Sequence, residues 1–395
     1  MTSGSVAPVN AEPASTTRNG PSVRGKAPRR LRVCIVAPSL DILGGQAVVA
    51  QRLMARLESD PDLDITFVPH NPRLPGPLRL LQRVKYLRTI ATSIAYTALL
   101  LRRLRDQDVV HVFSASYWSF ILAPTPAVLI ARLFGKRVIL NYRSGEALDH
   151  LSNWPRTSLP ILRRADLIVV PSGYLVDVFA RFGIPARPIF NFVDVERIAY
   201  RRRAHLRPVF LANRNFVAHY NVACVLRAFA LIQARVPDAR LIVAGDGPER
   251  ERLHTLAKEL RLANIEFLGQ VPPKRMSALY DEADIYLNAP NIDNMPNSIV
   301  EAFVAGIPVV TTRAGGIPYI VRDDENGLLT DCDDPSALAA AALRLLSDAD
   351  LAARLSDRAR AEALSRYTWA SVHDAWRSAY GLSRGAEEHL AARVE

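Results

Sequence analysis

Short apolar runs alternate along this chain with stretches whose apolar residues recur every three or four positions. Val33-Cys-Ile-Val-Ala37 is the first run, followed by a Gly44-Gly45 turn and a helical pattern through Glu58. Ile65–Val68, Val109–Phe113, Val138–Leu140 and Leu167–Val170 repeat the strand-length run, with helical stretches between them. Strands that are apolar throughout have no side to offer water, so they predict a parallel sheet covered by helices on both faces. The pattern restarts at Val209–Leu211 and continues through Leu241–Ala244, Ile265–Leu268, Ile285–Leu287 and Pro308–Thr311. From Asp334 it is helical nearly to Tyr380. The expected fold class is α/β, with two Rossmann-like doubly wound domains facing across a cleft. The expected divisions are a disordered leader over 1–30, a first domain over 31–190 and a linker over 191–207. A second domain over 208–366 follows, then a C-terminal helix and tail over 367–395 that cross back to the first domain.

Composition agrees with this picture. A chain of 395 residues suits two cores better than one. Three widely separated cysteines, Cys34, Cys224 and Cys332, suggest neither a disulfide framework nor a zinc site, and fit a reducing compartment. The N-terminus has no signal-peptide core and the chain no run of eighteen apolar residues, so a cytoplasmic location is expected.

The net charge of +11 matters mainly through its placement. Between Arg73 and Arg105 lie eight basic residues, Arg73, Arg79, Arg83, Lys85, Arg88, Arg102, Arg103 and Arg105, and no acidic ones. Arg197, Arg201, Arg202, Arg203 and Arg207 form a second cluster. Such clusters attract phosphate-rich partners, but no nucleic-acid-binding module accompanies them, so nucleic acid is not an expected partner. Within 78–105, Leu80, Leu81, Val84, Leu87, Ile90, Ala91, Ile94, Ala98 and Leu101 fall on one helical face. That face has two readings: it packs into the first core, or it lies on the inner face of an anionic membrane.

Candidate chemistry sits in strand-to-helix loops. At Gly44-Gly45-Gln46 a glycine turn opens a helix, which suits close backbone approach to a phosphate and equally suits a plain turn. Gly245-Asp-Gly-Pro-Glu249 has only two of the three dinucleotide-fingerprint glycines, so a nicotinamide cofactor is not indicated. The richest stretch runs from Asn288 to Phe303. There Asp293 lies in a polar loop and Glu301 lies inside the helix that follows, so two carboxylates can face a cleft with free helix amides between them. Carboxylates accept from sugar hydroxyls, and helix amides suit phosphate. A capping role for both acids is the plainer alternative. Ala314-Gly-Gly316 either lines a ligand or turns the chain. His111, near the end of an apolar strand, is the first-domain histidine best placed for acid–base work, with a packed structural role as its alternative. The Asp-x-Asp triplets at Asp62/Asp64, Asp106/Asp108 and Asp331/Asp333 read as solvated surface, and no metal is expected.

Taken in order, Gly44-Gly45, Asn191-Phe-Val-Asp194, Gly245-Asp-Gly-Pro248, Phe267-Leu-Gly269, Asp293-x7-Glu301, Gly306-Ile-Pro-Val-Val310, Ala314-Gly-Gly316 and Asn326-Gly-Leu-Leu329 resemble the family-4 glycosyltransferases, which have the GT-B fold. The resemblance spans roughly residues 31–382. It implies retaining transfer of a sugar from a nucleotide diphosphate sugar, without a metal or other cofactor, to a glycan or a polyprenyl- or lipid-linked acceptor. By resemblance Glu301 holds the ribose hydroxyls and Asp293 those of the donor sugar. Backbone N–H groups around Asn294 to Asn297 meet sugar or diphosphate, with Met295, Pro296 and Ser298 in the same donor-binding run, Arg214 meets the diphosphate, and the segment to Val271 edges the base. Gly45, Gln46, His219 and Gly245 complete the expected donor set, with Asp293, Arg214 and Glu301 expected to be catalytic. Three departures stand out: Asp293 replaces the family's first glutamate, His219 its lysine, and Arg143 its first-domain histidine. His111, Arg143 and Glu146 are the acceptor-side candidates. A sugar-nucleotide epimerase and a non-catalytic nucleotide-sugar-binding protein of the same fold are the alternatives.

Overall fold

The structure is a computed structural model that describes Met1 and residues 29–40, 45–74, 76 and 84–382. Residues 2–28 of the leader, residues 41–44 (with Gly44), 75 and 77–83 (with Arg79, Leu80, Leu81 and Arg83) and the tail beyond Leu382 lie outside the described residues.

Twelve strands form two parallel sheets of six. The first comprises β1 (Leu31–Ala37), β2 (Leu63–Pro69), β3 (Val109–Ser114), β4 (Arg137–Tyr142), β5 (Leu167–Val170) and β6 (Arg187–Pro188), in the order β2-β1-β3-β4-β5-β6. The second comprises β7 (Val209–Ala212), β8 (Arg240–Ala244), β9 (Ile265–Gly269), β10 (Ile285–Asn288), β11 (Val309–Thr312) and β12 (Leu328–Thr330), in the order β12-β11-β10-β7-β8-β9. Each apolar run of the sequence is a strand, and each sheet is covered on both faces by helices, giving two cores per sheet. This is the expected α/β architecture of two doubly wound sheets. β6 and β12, at two and three residues, are the strands that hydrophobic periodicity alone does not reveal.

Strand order reverses between β1 and β3 in one sheet and between β7 and β10 in the other. At such switch points the connecting helices leave on opposite faces, and a crevice opens outside the carboxyl ends of the strands. Both crevices open toward one shared cleft. The last helix, Trp369–Tyr380, begins with a capping box at Thr368 and packs Val372, Trp376, Ala379 and Tyr380 onto the first sheet. Arg377 on it reaches Asp62 at 2.7 Å and also pairs with Asp60.

Three residues of the second basic cluster have a structural role. Arg201, Arg203 and Arg207 all bond Asp284, which is buried beneath β10, with Arg207 Nε at 3.0 Å. Arg203 is itself buried and donates to four backbone carbonyls besides Arg201's, those of Tyr280, Ala283, Ala305 and Gly306. Arg203 and Asp284 are paired inside the second domain, whereas Arg207 and, from the same cluster, Arg197 and Arg202 keep most of their side chains exposed.

The helix Lys85–Arg103 turns the expected apolar face outward. Its buried core residues are Tyr96 and Leu100, with Leu99 partly buried beside them and Leu104 just beyond its end, whereas Val84, Leu87, Ile90, Ile94, Ala98 and Leu101 are exposed.

Candidate functional site

Arg214 and Asp293 are brought together because β7 and β10 are neighbours in the sheet, although the residues stand 79 positions apart. The chain leaves β7 through Asn213-Arg214, and it leaves β10 through the loop that carries Asp293. Arg214 Nη2 donates to the Asp293 carboxylate, Nη1 lies 3.2 Å from Ser298 Oγ, and the guanidinium stacks 3.8 Å over the Tyr220 ring. Burial is the largest single influence and works against the charge on Arg214, but Asp293 and the neighbouring Tyr220, Tyr286 and Tyr280 together outweigh it and hold the guanidinium above its ordinary pKa.

The loops beneath this pair require glycine. A Cβ at Gly245 would overlap the Arg214 carbonyl oxygen, and one at Gly315, where φ is +50°, would overlap that of Asp293. The turn at Ala314-Gly-Gly316 therefore supports the loop and does not face the cleft. The helix Asn297–Ala305 follows, with Pro296 as its N-cap and no side chain closing its first amides. An uncapped helix N-terminus carries partial positive charge and free donors. Glu301 lies one turn further. Its Oε1 accepts from Arg52 Nη2 at 2.7 Å and its Oε2 from the Tyr280 hydroxyl at 3.0 Å.

A cavity of about 490 Å³ lies between the two domains. Asn213, Arg214, His219, Tyr220 and the run from Asp293 to Ser298 with Glu301 form one wall. Gly45, Gln46, Val48, Val49 and the loop from Arg143 to Glu146 form the other. The walls touch: Ser172 Oγ donates to Asn294 Oδ1, and a Cβ at Gly145 would stand 3.1 Å from the Asp293 carbonyl carbon. Gln46 Nε2 reaches the Ser114 carbonyl at 3.4 Å, tying the first helix to the end of β3.

Most of the expected donor residues therefore line one cavity. Gly245 and Val271 are not among its lining residues: Gly245 packs under Arg214, and Val271 packs against the core below. His219 lines it with an exposed side chain. Partial burial, with Arg214 beside it, lowers its pKa against the pull of Glu146 and Asp293.

His111 corrects an acceptor-side expectation. It is fully buried, outside the cavity, and stacked on Phe113 and Trp376 at 5.1 Å. Asn141 turns its oxygen to Arg143, so its amide donates to His111 Nε2 at 3.1 Å, leaving Nδ1–H to donate to the Tyr380 hydroxyl at 2.8 Å. Burial, and to a lesser extent Arg143, pushes its pKa down to about 3, so the ring is a neutral structural link to the last helix. Arg143 does line the cavity. It bonds Asn141 at 3.3 Å and Asn191 as well, with Phe113 under its guanidinium at 5.6 Å. It has no carboxylate partner among the described residues, and burial lowers its pKa to about 10.

Two family models match this chain: "Glycosyltransferase Family 4" over residues 43–197 and "Glycosyl transferases group 1" over residues 199–362. Each takes one of the two sheets that face the cavity. The chain belongs to the family-4 glycosyltransferases. The glycosyltransferase is 28% identical over 244 residues to the lipopolysaccharide core biosynthesis glycosyltransferase LpsE of Rhizobium meliloti, covering 60% of this chain and 70% of that one. It is also 28% identical over 269 residues to a GDP-mannose-dependent phosphatidylinositol monomannoside mannosyltransferase of Mycolicibacterium smegmatis, covering 61% and 69%. Its fold matches Anabaena HepE, solved with UDP and glucose, with a TM-score of 0.69 at 17% identity, covering 89% of this chain and all of that one.

The side chains that sequence reasoning missed are Arg52, Tyr280 and Tyr220. Arg52 stands seven residues after Gly45, two turns along the same helix face. Tyr280 and Tyr220 carry no comparable signal. Among the described residues no group of three His, Cys, Asp or Glu side chains is placed to hold a metal ion, and no helix is long and apolar enough to cross a membrane.

Proposed function

We propose that this enzyme moves a sugar, with retention of configuration, from a nucleoside diphosphate sugar to a hydroxyl of a glycan or lipid-linked acceptor in polysaccharide or glycolipid assembly. The observation that carries the reading is the Arg214–Asp293–Ser298 group beside an uncapped helix N-terminus in the interdomain cavity. In the reaction the anomeric C–O(phosphate) bond breaks, the acceptor oxygen bonds to that carbon, and the acceptor proton leaves with the diphosphate. Negative charge builds on the diphosphate as its bond breaks, and Arg214 with the helix amides is preorganised to meet it. Asp293 accepts from sugar hydroxyls, and Glu301 from the ribose. Gly45 and Gln46 face the diphosphate from the first domain, and Glu146 and Arg143 face the acceptor. The UDP and glucose held by HepE support the donor class, and the mannosyltransferase named for a phosphatidylinositol mannoside supports a lipid-linked acceptor.

A thermal-shift panel of UDP, GDP, ADP and their sugar conjugates tests this first. A ligand at one hundred times its Kd adds ~2.7 kcal/mol of apparent stability. A panel in which nothing raises Tm would sink the donor assignment.

The reading places the enzyme peripherally on the inner face of a membrane. Along the helix Lys85–Arg103, exposed Tyr86 and Leu87 stand just before exposed Arg88, and exposed Ile90, Ile94 and Leu101 lie between Arg88 and exposed Arg102–Arg103. Trp118, Leu122, Leu129 and Leu133 are exposed on the next two helices, Tyr117–Leu122 and Pro124–Leu133. Apolar rows flanked by cations suit an anionic lipid surface. Flotation with phosphatidylglycerol vesicles, lost in Ile90→Asp/Ile94→Asp, is the expected result. Wild-type protein that does not float ends this part of the reading.

A further inference from the structure

We infer that Arg52, contributed by the first domain, is a positioning residue for ribose recognition: it clamps and neutralises Glu301 so that this carboxylate can receive a ribose beside a diphosphate. The inference rests on the reading of Glu301 as the ribose acceptor. Arg52 stands on the helix Gly45–Leu57, whose first turns form the cavity's first-domain wall, whereas Glu301 belongs to the helix on the opposite wall. Their 2.7 Å ion pair crosses the cleft, and both side chains are largely buried, 19% and 14% exposed.

Each oxygen of Glu301 has one fixed donor, Arg52 on Oε1 and Tyr280 on Oε2. A carboxylate offers about four lone-pair positions. Two donors therefore fix its plane and leave room for two more, the number that the 2′- and 3′-hydroxyls of one ribose supply. The charge argument runs the same way. Asp293 and Glu301 both line the cavity a diphosphate would enter, and an unneutralised acid there would repel it. Arg214 neutralises Asp293, and Arg52 neutralises Glu301.

Arg52 is itself held. Its Nε lies 4.0 Å from Asp194, which Arg56 anchors at 2.9 Å. Its Nη1 is buried with no hydrogen-bond partner among the described residues. The second domain thus carries the ribose acceptor, but the first domain sets its orientation, and nucleotide affinity depends on the two being closed together.

The test is calorimetric titration of UDP, GDP and ADP against their 2′-deoxy forms, using wild type, Arg52→Met, Arg52→Lys and Glu301→Gln. For the preferred base, wild type should bind the ribonucleotide about tenfold more tightly than the deoxynucleotide, the scale of one hydrogen bond to a charged group. In Arg52→Met that ratio should fall to about twofold, with Arg52→Lys between the two. In transfer assays donor KM should rise with kcat nearly unchanged, as for lost ground-state binding. Arg52→Met that folds and keeps the wild-type ratio overturns the inference. If Arg52→Met does not fold, Arg52→Lys decides, and an unchanged ratio there overturns it equally. A wild type that does not distinguish ribose from deoxyribose, with Glu301→Gln binding undiminished, instead overturns the ribose role of Glu301.

Discussion

Two arginines line the cavity from opposite walls, Arg214 on the second domain and Arg143 on the first, and their surroundings push them in opposite directions. Arg214 bonds a carboxylate and is held above its ordinary pKa. Arg143 has neutral amides and an aromatic face for company, and burial lowers it to about 10. A buried cation is costly unless paired. The second wall is electrostatically complete before any ligand arrives, with Arg214–Asp293 and Arg52–Glu301 both formed. The first wall keeps a cation with no carboxylate partner among the described residues. The difference teaches that the second-domain wall has its charges paired, whereas the first-domain wall holds Arg143 by neutral amides and an aromatic face.

The sharpest way to break this contrast is Arg214→Ala. It removes the charge facing the leaving group and leaves Asp293 unpaired, so kcat/KM for transfer should fall ~100- to 1000-fold, as for loss of a preorganised donor. An activity within threefold of wild type would remove Arg214 from the mechanism. Asp284→Ala is a control far from the cavity. It strands Arg203, which is buried with it, and should cost ~3–5 kcal/mol in denaturant unfolding. A much smaller cost would mean that water reaches Arg203.

Arg143→Met sharpens the contrast from the other side. Removing a buried cation that lacks a carboxylate should leave Tm unchanged or raised, while acceptor KM rises about tenfold. A lowered Tm with unaltered acceptor KM would show that Arg143 only braces Asn141 and Asn191.

His111 gives a pH test of the first domain's frame. Its folded pKa of about 3 lies below the unfolded value near 6.5, so below pH ~6.5 the unfolded chain binds a proton that the folded one refuses. Stability therefore falls as pH drops from ~6.5 toward 3, by ~1.4 kcal/mol per pH unit from this group. His111→Gln should flatten the slope by about one proton in pH-dependent urea unfolding. The smallest effect is expected at His219, whose lowered pKa leaves it neutral above pH 7. His219→Lys should raise activity about twofold at pH 8 by placing a fixed cation where the neutral imidazole stands. An unchanged rate would detach His219 from the diphosphate.

Much of the fold was legible because its strands are uniformly apolar and its turns are marked by glycine. The short β6 and β12 were not, since two or three residues carry no period. On the donor side, Asp293 and Glu301 share a single loop and helix, so their proximity follows from local chain geometry. Arg52 meets Glu301 across 249 residues, and no local pattern encodes that distance. His111 was misplaced for a related reason: its position near a strand end was legible, but the helix that buries it stands 269 residues away.

By itself the sequence determined the alternation of strand and helix, the two-sheet architecture and the loop that carries two acids, because each follows from side-chain period and from a few contiguous residues. The tertiary structure decided the rest. Only folding shows that Arg201, Arg203 and Arg207 converge on Asp284. It also decides that the apolar stripe of the helix Lys85–Arg103 points outward while Tyr96 and Leu100 hold the core. Which wall of the cleft is neutralised and which keeps a bare cation is likewise a property of packing. Charge and burial are decided by neighbours brought from far along the chain, and period and spacing cannot report neighbours they do not contain.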